Sequence, residues 1–472
     1  MNRGSSRVVL LLLLILLVPS HRQAAAYSLL THEQLIDLTW QDSIVPLLLS
    51  QYPNLTPAQL NEARAYAYGG CVIQDIGYYP FGEQGLSLLT HYVRSGDFVV
   101  SLLRNAQNAD ELAFAVGALS HYIGDAIGHS VATNRAVPVE FPKLGEKYGP
   151  TVNYAEGKNQ HIQTEFAFDI DEIAHHRFAP LSFLRHVGLK VPVRQLALAY
   201  YQTYGITEDL SKGKGHRINV RGYRYAVRTF IPRIAYAVTI LHRKHEPDDP
   251  DTPERQAVQK DVDAAIKQFD WNAYRRKPGL GTYTLAGVLY ILPKVGSLKM
   301  VAVKGPTPDT EAAYLRSVAL SIAVLRHLTA RFTPPSATHL EGGEPSRTLA
   351  ELFPQIASAN PDALLQSKDP RHPLPNRDLD TGYVVKPGGY PLTDSTYAAL
   401  LHRLTQQPAN AIPPGIKAEI QAYYADPDAP IATKKDSKQW AQVQQDLAVL
   451  AGMTTSPEPK PYPTYGDDAG DE

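Results

Sequence analysis

Three residues with metal-binding side chains recur four positions apart in one short stretch of the sequence. His121, Asp125 and His129 stand in the segment HYIGDAIGH. On an α-helix, a step of four residues returns a side chain to nearly the same face. Most of the residues around them are apolar, and two imidazoles and a carboxylate would each cost several kcal/mol to bury without partners. A divalent cation would offset that cost, so the sequence predicts a buried metal site.

A second pair of the same kind, His161 and Glu165, follows about thirty residues later. Cys71 is the sole cysteine, which excludes a thiolate cluster and an intrachain disulfide. A site built from imidazole and carboxylate suits zinc in a catalytic role better than in a structural one. Further candidates stand upstream, and each taken alone is equally well explained as a core or turn residue: His32, Asp75 and His91.

The composition is that of an ordinary globular protein. The 472 residues include 46 Lys and Arg and 47 Asp and Glu, which leaves a net charge of -1. A near-neutral chain of this kind has no bulk affinity for nucleic acid, so no stable nucleic-acid partner is expected. The length is sufficient for two or more compact units.

The first 26 residues have the pattern of a secretory signal peptide. Arg3 and Arg7 precede an apolar run over residues 8–18, and three alanines end the segment at Ala26. Cleavage there would leave Tyr27 as the first residue of the mature chain. We therefore expect a secreted or periplasmic protein.

Residues 27–335 carry apolar residues at helical spacing, notably over 102–121, 217–241 and 311–328, and predict an all-α domain. Residues 336–455 are rich in proline with short helical pieces at 348–365, 395–406 and 438–451, and form either a small second unit or a wrap on the first. Residues 456–472 are expected to be a disordered acidic tail. The apolar segment 283–293 is either a buried helix or a lip that touches a membrane.

The order of these residues resembles the zinc-dependent phospholipase C family, which is related to the zinc-dependent single-strand nucleases. The stretch HYIGD at 121–125 is similar to the family motif in residue types as well as spacing, and the resemblance covers about residues 27–170. It implies an all-helical domain that holds up to three zinc ions at the base of a cleft. The step from Asp125 to His129 is shorter than the family usually has.

The resemblance also implies how the ligands are divided. The first zinc would take Asp75, His91, His121 and Asp125. The second would take His129, His161 and Glu165. The third would take His32, Asp125 as a bridge, and the backbone amine and carbonyl of Tyr27, which makes signal cleavage part of the chemistry.

Three functions are compatible with such a centre. The leading hypothesis is a phosphodiesterase of phospholipase C type that releases diacylglycerol and a phosphorylated head group, with transient contact to a membrane surface. Metal ions neutralise phosphate charge and lower the pKa of water toward about 7, while Asp75 would orient or deprotonate that water. The alternatives are a nuclease or nucleotidase with the same metal core, and a non-catalytic secreted binding protein stabilised by zinc.

Overall fold

The computed structural model describes residues 29–79, 82–207, 220–242, 250–293, 302–331 and 372–457. The signal segment, Tyr27 and most of the acidic tail lie outside these ranges. Within them the chain forms no β-strand, only two isolated bridges that join Arg377 to Val384 and Ile412 to Thr455. The predicted all-α class is confirmed.

Twenty α-helices lie within the described ranges. In chain order they are α1 (Leu29–Thr39), α2 (Val45–Gln51), α3 (Pro57–Gly70), α4 (Gln84–Tyr92), α5 (Ser95–Asn105), α6 (Ala109–Gly128), α7 (Asn134–Glu140), α8 (Pro142–Tyr148), α9 (Tyr154–Ala174), α10 (Leu181–Val187), α11 (Val193–Tyr204), α12 (Val220–Tyr225), α13 (Ile231–His242), α14 (Pro253–Gln268), α15 (Trp271–Tyr274), α16 (Leu280–Ile291), α17 (Pro308–Arg331), α18 (Pro391–Thr405), α19 (Pro414–Tyr423) and α20 (Ser437–Gly452). Three π-helical turns interrupt them at Trp40–Ile44, His129–Thr133 and Ala226–Phe230.

Helix α6 runs through the centre of the molecule and packs against α3, α5 and α17. Its crossing with α3 is close enough to require glycine on both helices. A Cβ at Gly70 would lie 2.0 Å from the carbonyl oxygen of Phe114, and one at Gly117 would lie 2.2 Å from that of Ala67. The two small residues therefore let the two backbones touch, which fixes α6 deep in the core.

The helical spacing over 102–121 extends across two helices, because α5 ends at Asn105 and α6 begins at Ala109. The side chain of Asn108 accepts a hydrogen bond from the backbone N–H of Glu111 and so caps α6. Apolar spacing continues across the break, since both helices bury their apolar faces in the same core.

Helix α9 is held at its start by a capping box. The side chain of Asn153 accepts from the N–H of Glu156, whose own carboxylate accepts from the N–H of Asn153. The helix bends at Gly157, which has φ of -149° and ψ of 54°. Farther along, the Asp169 carboxylate accepts hydrogen bonds from the N–H of Leu30 and the hydroxyl of Thr31 at 3.1 and 2.9 Å, so that α9 holds α1 against it.

The C-terminal region wraps on the helical domain. Leu379, Leu401 and Leu450 are buried in the same continuous core as the residues of α6. Helices α18 and α20 confirm the predicted helical pieces at 395–406 and 438–451, and the piece predicted at 348–365 lies outside the described residues. The division of the chain after residues 26, 335 and 455 stays a prediction.

The apolar segment 283–293 lies mainly in α16. In this helix Ala286 and Leu289 are buried, whereas Leu280, Tyr290 and Ile291 are 85%, 75% and 81% exposed. The buried-helix interpretation therefore holds for one face only. In the described part of the chain, no helix combines the length and the apolar character needed to cross a bilayer.

Candidate metal centre

The structure brings together eight of the nine predicted ligands. None of the eight side chains is more than 2% exposed. They come from α1, α4, α6, α9, the 3-10 turn Ile73–Asp75 and the π turn that follows α6. They are His32, Asp75, His91, His121, Asp125, His129, His161 and Glu165. The ninth, Tyr27, lies outside the described residues.

Asp125 is the centre of the larger group. Its Oδ1 lies 3.2 Å from Nε2 of His32, and its Oδ2 lies 3.2 Å from Nε2 of His91 and 3.1 Å from Nε2 of His121. Nε2 of His91 is also 3.3 Å from Oδ1 of Asp75. One carboxylate thus faces imidazoles from three different helices.

His121 lies within reach of both parts of this group. Possible ligand atoms of His32, His121 and Asp125 lie within 4.8 Å of one another, as do those of Asp75, His91 and His121. The rings of His32 and His121 are stacked with centroids 4.1 Å apart. The residues implied for the first and third ions therefore form one contiguous cluster.

The second predicted ligand set forms a separate group. Oε1 of Glu165 lies 2.9 Å from Nε2 of both His129 and His161. His129 is the first residue of the π turn His129–Thr133, which joins α6 directly to α7. One continuous helical path thus supplies ligands to both groups, although Asp125 and His129 are only four residues apart. Single π turns of this kind are frequent at functional sites.

Backbone carbonyls orient three of the imidazoles. Nδ1 of His91 lies 2.7 Å from the carbonyl oxygen of Ser87, and Nδ1 of His121 lies 2.9 Å from that of Cys71. A carbonyl oxygen accepts only from a protonated nitrogen, so Nδ1 carries the hydrogen and Nε2 is left to face the carboxylates. This is the arrangement by which proteins commonly fix a metal-binding histidine.

His129 obtains the same support from a distant part of the chain. Its Nδ1 lies 2.8 Å from the carbonyl oxygen of Leu379, 250 residues away. The sequence could not reveal this contact, because a backbone carbonyl leaves no signature in the residue types. Nδ1 of His161 has no hydrogen-bond partner among the described residues, and its ring instead meets Tyr154 edge-on.

Mutual burial and charge shift the pKa values of the cluster. Burial, with help from His121, lowers the pKa of His32 to about 4. Burial alone would lower the pKa of His129, but Asp125 and Glu165 raise it to about 10. Burial would raise the pKa of Asp125, yet His121, His129 and His32 hold it well below its usual range. The centre therefore keeps the Asp125 carboxylate ionised beside a protonated His129.

The donor set fits a divalent cation. Both oxygens of Asp75, both oxygens of Asp125, and Nε2 of His91 and His121 are buried with no hydrogen bond to any described group. Buried polar atoms are normally hydrogen-bonded, so a group of them aimed at each other indicates a missing partner. Imidazoles and carboxylates are the ligands of catalytic zinc sites. That each of these residues binds zinc stays a prediction.

A further group of ligand-type side chains lies outside the centre. Asp171, His175 and Glu311 come within reach of one another. The Arg177 guanidinium, itself fully buried, occupies this group with Nη2 at 3.4 Å from Asp171 and 3.2 Å from Glu311. A fixed positive charge already lies among these carboxylates, so we do not assign a metal to them.

Two tyrosines beside the ligands were missed by sequence reasoning. Tyr78, Tyr154 and Ile162 form a small buried cluster apart from the main core. The Tyr78 ring centroid is 5.5 Å from that of His91, and the Tyr154 ring centroid is 5.5 Å from that of His161. The only sequence signal for these two tyrosines is that Tyr78 stands three residues after Asp75.

Zinc binding to this centre should release protons. Neighbouring carboxylates raise the pKa of His91 and His129 in the metal-free protein, and zinc binds the unprotonated nitrogen. We expect calorimetric titrations at about pH 7 in two buffers of different ionisation enthalpy to show net release of about one proton or more per chain. Affinity should rise with pH, and an affinity that falls between about pH 6 and 8 would contradict this electrostatic account.

Comparison with known proteins agrees with the geometry. Residues 31–211 match the family model described as zinc dependent phospholipase C, and this range contains all eight described ligand candidates. Searches of curated proteins and of solved structures find no match. The resemblance inferred from the sequence is confirmed over residues 31–211, which match the model of the zinc-dependent phospholipase C family.

Proposed function

We propose that the protein is an exported zinc-dependent phosphodiesterase that cleaves phospholipid to diacylglycerol and a phosphorylated head group. One observation carries the proposal. Two adjacent ligand groups, one around Asp125 and one around Glu165, lie buried within the range that matches the phospholipase C family. Export is supported by Arg3, Arg7 and the apolar run over residues 8–18.

The larger group would hold up to two ions and the group around Glu165 one. Bound zinc would neutralise the substrate phosphate and activate water for attack. We assign Asp75 as the base that accepts the proton of the attacking water. Burial raises the pKa of its carboxyl to about 6 in the metal-free protein, and a carboxylate within hydrogen-bond reach of a bound water can accept its proton.

The balance of charge favours a phospholipid over a nucleic acid. Proteins that bind nucleic acid through the phosphate backbone have clustered positive charge, and this chain has nearly equal numbers of acidic and basic residues. Glu165 supports the same choice, since the related nucleases more often have Asp at that position.

Tyr78 and Tyr154 are suited to bind the phosphate. They are 3% and 4% exposed, and neither hydroxyl has a hydrogen-bond partner in the described part of the chain. Burial, and the carboxylate of Asp75 among others, raise the pKa of both hydroxyls, so both remain protonated donors at neutral pH. We assign them to donate hydrogen bonds to non-bridging phosphate oxygens of the substrate.

An exposed apolar surface is suited to a membrane. The outer face of α16 presents Leu280, Tyr290 and Ile291. Directly before it stand three basic residues, Arg275 to Lys277, and none of them forms an ion pair with a described carboxylate. Apolar side chains beside unneutralised cations favour the surface of a bilayer with anionic lipid.

This surface connects to the metal centre through packed helices. The inner face of α16 packs on α13, and α13 packs on α9, which carries His161 and Glu165. We therefore propose that α16 holds the enzyme at the bilayer that contains its substrate.

Removal of metal or of Asp75 should abolish hydrolysis. We expect excess EDTA to abolish cleavage of phosphatidylcholine, because the metal would activate the attacking water. Asp75→Asn should reduce cleavage by about 10²-fold or more, because a proton acceptor contributes on that scale. Asp171→Asn is the matched control, since Asp171 is another buried carboxylate near an imidazole but lies outside the centre. Full activity in EDTA would overturn the proposal, and cleavage of single-stranded DNA in place of phosphatidylcholine would favour the nuclease.

The two tyrosines should affect phosphate binding more than zinc binding. Tyr78→Phe and Tyr154→Phe should each retain zinc while kcat falls by about 10²-fold, the usual loss for one donor to a developing negative charge. Binding of inorganic phosphate to the zinc-loaded protein, measured by calorimetry, should weaken in parallel. Tyr204→Phe is the control, because its hydroxyl is equally buried in the core without a hydrogen bond to described residues. Unchanged phosphate affinity in both variants would contradict the assignment.

Loss of the apolar face of α16 should weaken vesicle binding. Leu280→Ser combined with Ile291→Ser should reduce binding to vesicles of phosphatidylcholine with anionic lipid by about tenfold or more, since each buried apolar side chain contributes about 1.5–3 kcal/mol. Val139→Ser removes an exposed apolar side chain elsewhere and serves as the control. Equal vesicle binding by both proteins would exclude this surface.

A further inference from the structure

We infer that the turn formed by residues 377–382, which lies 166 residues or more beyond the family match, is the outer support of the metal centre and sets how tightly the group around Glu165 holds zinc. The inference rests on the zinc-binding part of the proposed function. It assigns to the C-terminal region a positioning role that the phospholipase C match does not cover.

Leu379 is joined to a ligand of each group by its own backbone. Its N–H donates to the carbonyl oxygen of His91 at 3.1 Å, and its carbonyl oxygen lies 2.8 Å from Nδ1 of His129. A single residue therefore spans the two groups. Any displacement of its backbone would move the carbonyl acceptor away from His129. The imidazole ring would then no longer be held in one orientation.

The next residue, Asp380, is held between the domain and the C-terminal region. Its Oδ2 accepts hydrogen bonds from the hydroxyls of Tyr92 and Tyr390 at 2.8 and 2.7 Å. Its carbonyl oxygen accepts from Nδ2 of Asn134, which begins α7, at 2.7 Å. Tyr92 directly follows the ligand His91, so the segment is fastened beside both ends of the ligand cluster.

The turn also keeps its own shape. Oδ1 of Asp378 accepts from the N–H groups of Asp380 and Thr381 at 3.0 and 3.2 Å. The guanidinium of Arg377 donates to the carbonyl oxygen of Gly382. Leu379 and Asp380 therefore contact the ligand helices from a loop whose shape is already fixed. Less conformational entropy is lost when such a loop packs against the ligands.

Gly382 sets the distance between this turn and the ligand helix. Its φ is +74°, and a Cβ there would lie 2.4 Å from the carbonyl oxygen of Ala126 in α6. Ala126 directly follows Asp125. An alanine at position 382 would strain the backbone and push the turn outward, away from His129.

The chain offers a matched control for that substitution. Gly388 has the same φ of +74°, and its Cβ would meet Pro430 at 2.7 Å. That clash lies between two parts of the C-terminal region and does not involve α6. Gly382→Ala and Gly388→Ala thus impose similar local strain, and only the first displaces the support of the metal centre.

The test compares these two variants of the full chain with the unchanged protein. Zinc affinity is measured by competition with a chromophoric chelator, and thermal unfolding is measured on the metal-free proteins. We expect both variants to lower the unfolding temperature, and only Gly382→Ala to weaken the affinity for one zinc ion by about 10- to 100-fold, as loss of an outer partner does in other metal sites. The absorption spectrum of the cobalt-substituted protein should change in Gly382→Ala alone.

The outcomes separate this inference from the proposed function. An unchanged protein that binds no zinc overturns the proposed function. A protein that binds zinc, with equal affinity and cobalt spectra in both variants, overturns the role of the turn alone. If Gly382→Ala does not fold, Asp380→Asn keeps the side-chain shape and tests the same support, with an expected weakening of zinc that Gly388→Ala does not show.

Discussion

The buried carboxylate of Asp125 is the constraint on which the rest of the metal centre depends. Its two oxygens face the Nε2 atoms of His32, His91 and His121 at 3.1 to 3.2 Å. A carboxylate removed from water is costly unless positive charge is fixed beside it, so three helices must converge at this point. A protonated His91 supplies part of that charge in the metal-free protein, and a divalent cation would supply it in its place. Folding and metal binding therefore meet the same electrostatic requirement.

This convergence depends on the depth of α6 in the fold. Gly70 and Gly117 allow α3 and α6 to approach until their backbones touch. Asp169 on α9 holds the start of α1, and with it His32, through Leu30 and Thr31. The scaffold thus places ligands on rigid helices, and their side chains are fixed by packing before any ion binds.

The sequence predicts the parts of this arrangement that are local. A step of four residues identifies His121 with Asp125, and His161 with Glu165, because the helix repeat alone places each pair on one face. It does not predict the π turn at His129 or the acceptor for its Nδ1. The first depends on how α6 continues into α7, and the second is a backbone oxygen 250 residues away. Contacts of this kind are set by tertiary packing and leave no trace in residue spacing.

The same limit explains why composition gives a misleading view of the C-terminal region. A Pro-rich segment with short helices is readily taken for a separate unit, yet Leu379 and Leu401 lie in the common core and Tyr390 bonds to the Asp380 carboxylate beside the ligands. Of the eight ligand candidates, all lie within 31–211, but one of their outer partners does not. The matched range supplies the candidate metal ligands, while the rest of the chain holds at least one of them in position. The chemistry of this centre therefore belongs to the whole described fold rather than to the matched domain alone.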